Sequence, residues 1–374
     1  MYNEDIKNKE SISVCFVDPQ SYSNLEKYDC GVLSSLKPKA GRIKLDFYAN
    51  EKLESNIDGA EIIKIFNYSD KKYLKLLSLF RSLFLLYFYI YKKKYDVVHF
   101  QWLKLPILEW FVLCCFKLLP GFNSKLVFTA HNLYPHNSGR LYKSIYRLIY
   151  CVFDVIVCHA SATAKSIEKL TSNPKVMVIP HGIIYFDKNQ SVNVQIKDFI
   201  QKNSNRYILS FGRMGYYKGT DLLVAAWAKS QLYRQGYSLV LAGAGASRFS
   251  GNTRGLVIYD SFLTETELHE LSVHCLGQVL PYREISQSGV LLSIIAYKKP
   301  ILLSNVGGFA DFCEQFGLPL VIDKLTVDDV STKLNEFVDF SSDIYESRLH
   351  EATVFFRWEN ISKKTLSLYE NLAV

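Results

Sequence analysis

Two cations stand at one glycine turn. Arg213 directly follows Gly212, and Lys218 directly precedes Gly219, within the run Tyr207-Ile-Leu-Ser-Phe-Gly-Arg-Met-Gly-Tyr-Tyr-Lys-Gly-Thr-Asp221. The apolar residues ahead of Gly212 read as a short strand, and the pattern after Gly219 reads as a helix. A strand, a tight turn and a helix N-terminus together hold a phosphate, because free backbone amides and the helix dipole face the anion. Arg213 and Lys218 add fixed positive charge to that turn. A surface loop with two solvated charges has the same composition, and glycine turns alone discriminate weakly. The rest of the chain has to decide between the two.

A second group of residues could serve the same anion. Ser288-Gly289-Val290 opens a helical pattern. Ser288 suits an N-cap, Gly289 permits close backbone approach, and the first free amides carry the positive end of the dipole. A third position, His131, follows an apolar run over 125–130 and so stands at a strand's carboxyl end. Turn capping would use the same residue types.

The elements needed to position these groups are legible as β-branched runs. The first half reads as strands at 13–18, 43–48, 61–66, 96–101, 125–130, 154–158 and 175–179. Helices are expected at 70–93, 106–118, 140–151 and 161–171. Little alternation of polarity appears in the stronger strands, as expected for parallel strands covered on both faces. The second half repeats the rhythm. Its strands are expected at 207–211, 238–242, 256–259, 277–281, 300–304 and 319–322, and its helices at 219–231, 265–275, 289–298, 308–315, 326–339, 343–354 and 358–372. Two runs of βα alternation predict two doubly wound parallel-sheet (Rossmann-like) domains. We place them at 1–185 and 186–355, with a last helix in 356–374 crossing back to the first. Such sheets bind ligands at the carboxyl ends of their strands, so the expected site is a cleft that the domains face.

Composition fits this frame. The chain has 374 residues, 49% apolar and 21% charged, enough for a large core. Eight scattered cysteines without a Cys-x-x-Cys pair suit reduced, buried thiols and a cytoplasmic protein. The polar first residues do not read as a signal peptide. The basicity lies in the first half: residues 1–190 hold 26 Lys and Arg against 17 Asp and Glu, and the remainder 18 against 19. A basic half implies an anionic partner. Residues 71–94 are apolar nearly all round, with lysines at both ends. They are too short and interrupted to span a bilayer, and read either as an interfacial helix on an anionic membrane or as a core helix with basic ends. Residues 103–122 are similarly apolar and read as core.

Taken in order, the strand-end segments are Thr129-Ala-His131-Asn132 with Pro135-His136, then Val157-Cys-His159 and Ile179-Pro180-His181-Gly182. Gly212-Arg213 with Lys218-Gly219 follows, then Gly243-Ala-Gly245, Pro281-Tyr282-Arg283-Glu284, Gln287-Ser288-Gly289-Val290, Lys299-Pro300 and Val306-Gly307-Gly308. This set resembles the family 4 retaining glycosyltransferases of GT-B fold, also called glycosyl transferases group 1. The resemblance is strongest over 207–312, fainter over 96–182 and only topological over 1–95.

The resemblance implies a GT-B enzyme of two domains facing across a cleft. It would move a hexose from a nucleoside-diphosphate sugar, UDP- or GDP-linked, to a hydroxyl of a glycan or lipid-linked glycan, with retention and without a metal or other cofactor. Arg213, Lys218 and Gly212 would meet the leaving diphosphate, with Gln287, Ser288, Gly289 and Val290 adding donor contacts. Glu284 would orient the donor sugar, and His131 would hold a sugar hydroxyl. His136 reads as acceptor-side or structural, His99 as a buried strand-end residue, and His181 as the start of the linker. The family's second glutamate falls at Ser293, which offers a ribose only a weaker hydroxyl contact. Asp311 keeps a charge where the family often has Glu, and the base would meet backbone near 260–263. The glycine-rich loop that many members carry after the first strand is missing.

Other classes fit less well. Gly243-x-Gly245 lacks the third glycine of a dinucleotide fingerprint, and neither a Walker loop nor a Gly-x-Ser-x-Gly elbow occurs. No Asp-x-Asp suggests a metal-clamped donor. Basic residues flank apolar helices instead of interleaving with exposed aromatics, which speaks against nucleic acid. The expected role is polysaccharide, capsule or envelope glycan synthesis at the inner face of a membrane. The alternative is a non-catalytic GT-B relative that binds a sugar nucleotide or scaffolds such a pathway.

Overall fold

The computed structural model describes residues 11–36, 41–67, 72–133, 140–171, 174–285, 287–340 and 342–373. The chain divides into two compact units, 1–182 with 357–374, and 183–356. Ile183 donates its backbone N–H to Phe356 O (3.0 Å) and is buried in the second unit's core. Residues 183–185 and Phe356 therefore lie with the second unit, slightly outside the bounds read from sequence.

In the first unit the strands are β1 (Ile12–Asp18), β2 (Ile43–Asn50), β3 (Ala60–Phe66), β4 (Val97–Phe100), β5 (Lys125–Ala130), β6 (Val155–Cys158) and β7 (Lys175–Val178). They form a parallel sheet in the order β3-β2-β1-β4-β5-β6-β7. The order reverses between β1 and β4, where a doubly wound sheet opens its crevice. Alternate residues of β1 feed opposite faces: Val14 and Phe16 enter one core, Cys15 and Val17 the other. Both faces are dry, so its inner positions Val14–Val17 are all apolar and the strand shows no period of two.

The helices of this unit are α1 (Glu26–Leu36), α2 (Lys72–Lys93), α3 (Pro106–Leu118), α4 (Arg140–Val152) and α5 (Ser161–Leu170). The sequence reading missed α1, whose Gly31 and Asp29 weaken helix propensity. Packing compensates: the ring of Trp358 lies against Gly31 and Gly182, where any Cβ would collide with it. Residues 103–122 are core in part: Leu103, Leu105, Leu108, Trp110, Val112, Phe116 and Phe122 pack against the first unit's core, as expected, and one stripe does not. In α3 only Glu109 and Leu113 are buried, while Ile107, Phe111 and Leu118 face solvent. A helix apolar all round gives no sign of which stripe faces in.

The second unit begins with α6 (Val194–Asn203), then β8 (Tyr207–Phe211), α7 (Thr220–Ser230), β9 (Ser238–Ala242), β10 (Leu256–Tyr259) and α8 (Glu265–His274). It continues through β11 (Gly277–Leu280), α9 (Gly289–Ile294), β12 (Ile301–Ser304), α10 (Gly307–Phe316), β13 (Val321–Ile322), α11 (Val327–Val338) and α12 (Ser342–Phe355). Its parallel sheet runs β10-β9-β8-β11-β12-β13, with the switch between β8 and β11. The linker expected to start at His181 runs into α6, capped by Asn193, whose side chain accepts the Gln195 N–H (2.8 Å). The last helix, α13 (Trp358–Leu372), belongs to the first unit, and its Tyr369 hydroxyl meets His99 Nδ1 at 2.6 Å. All eight cysteines are free thiols.

Candidate active site

In the second unit the cation turn leaves β8 at the switch point. Gly212 N donates to Ala242 O and Met214 N to Ala244 O, both at 2.9 Å. The chain then makes one 3-10 turn over 216–218 and enters α7 through Gly219. Gly219 adopts φ +67°, and a Cβ there would stand 2.1 Å from Pro281 O. Only glycine allows this approach, which fixes where Lys218 sits.

Lys218 is 8% exposed. Its Nζ donates to Phe211 O (3.3 Å) and lies 5.2 Å from the ring centroid of Tyr282. It also crowds Gly212, where a Cβ would lie 2.7 Å from Nζ and 3.3 Å from Val290 Cγ2. Gly212, Lys218 and Val290 therefore meet at one point. Among the described residues no carboxylate pairs with Lys218. Burial pulls its pKa down from 10.5 to about 8. A buried ammonium held by one carbonyl and an aromatic face is a charge that wants an anion.

The other sequence candidates spread around this point. Arg213 and Glu284 are exposed, Gln287 is half-buried, and Gly289 is exposed at the start of α9. Ser288 is buried as N-cap and accepts the Leu291 N–H (3.2 Å). Ser293, expected to offer a ribose a hydroxyl contact, lies within α9. It is buried and donates its hydroxyl proton to Gly289 O (2.8 Å), one turn back along α9. Beside the backbone expected to meet the base, the Asp260 carboxylate accepts from Gly245 N (2.6 Å), Ala246 N (2.9 Å) and the Ser247 hydroxyl, and so holds the glycine turn.

Sequence reasoning missed two residues here. Tyr282 is 2% exposed and supports Lys218 with its ring. Arg283 clamps the cation turn. Its guanidinium makes two parallel bonds to Asp221 (2.7 and 2.8 Å), donates to Tyr216 O, and stacks 3.8 Å over the Tyr216 ring. Its backbone N–H donates to Tyr217 O (2.8 Å). The paired bonds hold the Asp221 carboxyl below the usual carboxylate range. Asp221 opens α7 just after Lys218, a local signal that only its distant partner explains.

In the first unit, Gln101, His131 and His159 each follow the end of a strand, β4, β5 and β6, on one sheet edge. The Ile179 carbonyl can only accept, so His159 Nδ1 carries a proton and donates to it (2.9 Å). His159 Nε2 then accepts from His131 Nδ1 (3.1 Å), which leaves His131 Nε2 an acceptor 3.2 Å from the Gln101 amide. With Gln101 Oε1 at that place, two acceptors would face each other and the amide nitrogen would stay buried without a partner. Turning the amide over removes the clash of acceptors, with Gln101 Nε2 donating to His131 and Oε1 taking the other position. One face of the His131 ring stacks on Trp102 (4.8 Å, 9°). Both ring nitrogens are thus engaged inside the unit, and a sugar hydroxyl would have to compete with Gln101. His181 packs against Tyr28, His159 and Trp358 of its own unit. His99 is the buried strand residue expected, bridging Tyr369 and Thr129. His136 lies outside the described residues.

Burial keeps these imidazoles neutral. It lowers His99 and His159 to about 3 and His181 to about 4, and holds His131 well below 6.5. His131 can therefore accept or orient a hydroxyl but does not act as a cation. In the unfolded chain the same rings bind protons below about 6.5, so this group of four loses stability as pH falls from there towards 4. Buried carboxyls oppose them. Burial raises Asp18, Asp29 and Glu109, the last to about 7, so these take protons in the folded state first and gain stability in acid. Glu109 accepts from Lys104 N and Leu105 N, both 2.7 Å, which a glutamine oxygen can also do. Urea unfolding should show Glu109→Gln losing about 2 kcal/mol more than the parent between pH 7 and 5. Equal losses would mean that the carboxyl is ionised in both states.

The two units, each a doubly wound parallel sheet with its polar groups at the carboxyl edge, have the architecture of the GT-B fold. Residues 44–184 match the model of Glycosyltransferase Family 4, and residues 205–339 match that of Glycosyl transferases group 1. The chain belongs to this family of glycosyltransferases. Among solved structures, a glycosyltransferase from Rickettsia africae ESF-5 is similar, with 17% identity and a TM-score of 0.70 over 97% of this chain and 99% of that one. Anabaena Alr3699/HepE in complex with UDP and glucose has 14% identity and a TM-score of 0.65, over 96% and 100%. Sucrose-phosphate synthase from Thermosynechococcus elongatus has 15% identity and a TM-score of 0.68, over 96% and 99%. No curated protein matches the sequence.

Proposed function

We propose that the protein transfers a hexose, with retention and without a metal, from a nucleoside-diphosphate sugar to a hydroxyl of a glycan or lipid-linked glycan. The observation that carries this reading is Lys218, a buried ammonium to which the described residues offer no carboxylate, at the switch point of the second sheet. The diphosphate leaves with growing negative charge, and a fixed cation in a dry site lowers the energy of that state most. Arg213 meets the same phosphates from the exposed side of the turn. Ser288 fixes the start of α9, so that the backbone at Gly289 and Val290 meets the donor, with Gln287 beside it. Glu284 orients the donor sugar. Neutral His131 accepts from a sugar hydroxyl, and the departing phosphate takes the acceptor's proton. Uridine is the favoured base, since HepE, similar in fold, binds UDP and UDP-glucose. A lipid-linked acceptor in polysaccharide or envelope glycan synthesis would place the reaction at the cytoplasmic face of a membrane.

The first experiment is a melting-temperature screen with UDP, GDP, ADP, CMP and dTDP at millimolar concentration. One nucleotide should raise the melting temperature by several degrees, as binding at about a hundredfold its Kd supplies roughly 2.7 kcal/mol. The shift should vanish in Lys218→Ala. No shift with any of them would turn the assignment towards a scaffold that has lost its donor.

A further inference from the structure

The outward face of α2 is apolar where a helix of a freely soluble domain is polar. Leu79, Leu83, Leu86, Tyr87 and Ile90 fill the core on one side. On the other, Leu77, Phe80, Phe84, Phe88 and Tyr91 recur at three- and four-residue spacing and point to solvent, Phe84 at 71% exposure. The neighbouring α3 extends this surface. Tyr87 and Tyr91 touch Phe116 (5.4 and 6.1 Å), and Ile107, Phe111 and Leu118 stand outward at 59, 58 and 85% exposure. Two adjacent helices thus present one continuous apolar face, larger than the scattered residues of an ordinary surface.

Every exposed charge that the described residues of the two helices carry is positive. Glu109 is the single carboxylate in the sequence of the two helices, and it is buried, bound to Lys104 N and Leu105 N. Solvent meets Arg81, Lys92, Lys93, Lys94 and Lys117. Lys93 pairs with Asp46 and Lys117 with Asp154, but Lys92 lies over the Phe88 ring at 5.9 Å, at the border of the apolar strip. Two copies packed through this face would bring like charges together. An anionic bilayer satisfies both features, with rings below the headgroups and ammonium groups among the phosphates. No described helix is long and apolar enough to cross a membrane.

We propose that the α2–α3 face docks on an anionic lipid surface, with α2 lying in the interfacial plane. This names a partner for the first unit and deepens the reading of a membrane-borne acceptor. It is read without donor or acceptor, so its failure leaves the transfer reading standing.

The test is co-sedimentation of the full chain with vesicles of phosphatidylcholine alone and with about 30% phosphatidylglycerol. The protein should pellet with the anionic vesicles at least tenfold more strongly than with the neutral ones, and added salt should release it. Phe84→Ser with Phe111→Ser should abolish pelleting, and Lys92→Glu with Lys94→Glu should weaken it about tenfold. All four positions are exposed, so melting temperatures and any nucleotide-induced shift should stay as in the parent. Absence of binding to anionic vesicles would overturn the proposal. So would sedimentation-velocity data showing a dimer that Phe84→Ser with Phe111→Ser dissolves, which would assign the face to a second copy.

Discussion

Lys218→Met should make the protein more stable and nearly inactive. In the parent, burial without a counter-ion lowers the lysine to about 8, against about 10.4 in an unfolded chain. The folded state therefore binds this proton less well than the unfolded state. The penalty is present in full below pH 8 and fades as pH rises towards 10.4. At pH 7 it amounts to roughly 3 kcal/mol, an upper bound for what methionine recovers, since the thioether fills similar volume without a charge. Turnover should fall about a hundred- to a thousandfold, as when a preorganised charge-stabilising group is deleted. Thermal melts and steady-state kinetics on one preparation read both effects. A less stable Lys218→Met protein would mark the lysine as a structural residue. A stable variant with full turnover would remove it from the chemistry.

The same shift gives the parent a pH signature. The ammonium loses its proton near pH 8 in the free protein, and a bound diphosphate holds the proton on. Nucleotide affinity should weaken above pH 8, and Lys218→Met should lack this step.

Most of the scaffold could be read from local pattern, because parallel strands buried on both faces leave an unmistakable apolar run. The bounds of β5, β8, β9, β10, α3 and α13 coincide with those read from sequence. What was missed depends on distant partners. α1 looks weak until Trp358 is seen against Gly31. The exposed stripe of α3 cannot be told from a core stripe without knowing which side carries the sheet. At the site, Lys218 and Gly212 were legible because turn and cation are contiguous. Tyr282, the Gln101–His131–His159 chain and the Arg283–Asp221 pair join residues from different strands, which no periodicity records. The partner of Ser293 was not legible for the opposite reason. Its hydroxyl donates locally, to the carbonyl one turn back, a bond that serine commonly makes inside helices.

Arg283 should act on catalysis through Lys218, and a double-mutant cycle separates that from a direct role. The turn carrying Lys218 is pinned on one side by Gly219 against Pro281 O, and on the other by the fork from Arg283 to Asp221 and Tyr216. Removing the fork frees the turn, and a displacement of about 1 Å at a positioned group can cost on the order of a hundredfold in rate. Arg283→Ala should lower kcat by about ten- to a hundredfold, with a smaller rise in KM for the donor. Arg283→Lys restores the charge but not the paired bonds, and should recover only part. In the Lys218→Met background the ammonium is already gone, so adding Arg283→Ala should change turnover by less than about twofold. An equal loss in both backgrounds would mean that the guanidinium reaches the substrate itself. Asp221→Asn supplies the complementary measurement. It keeps the shape of the pair but removes the charge that orients the fork, so it should resemble Arg283→Ala if Arg283 works by holding the turn, and leave rate nearly intact if Arg283 binds phosphate directly.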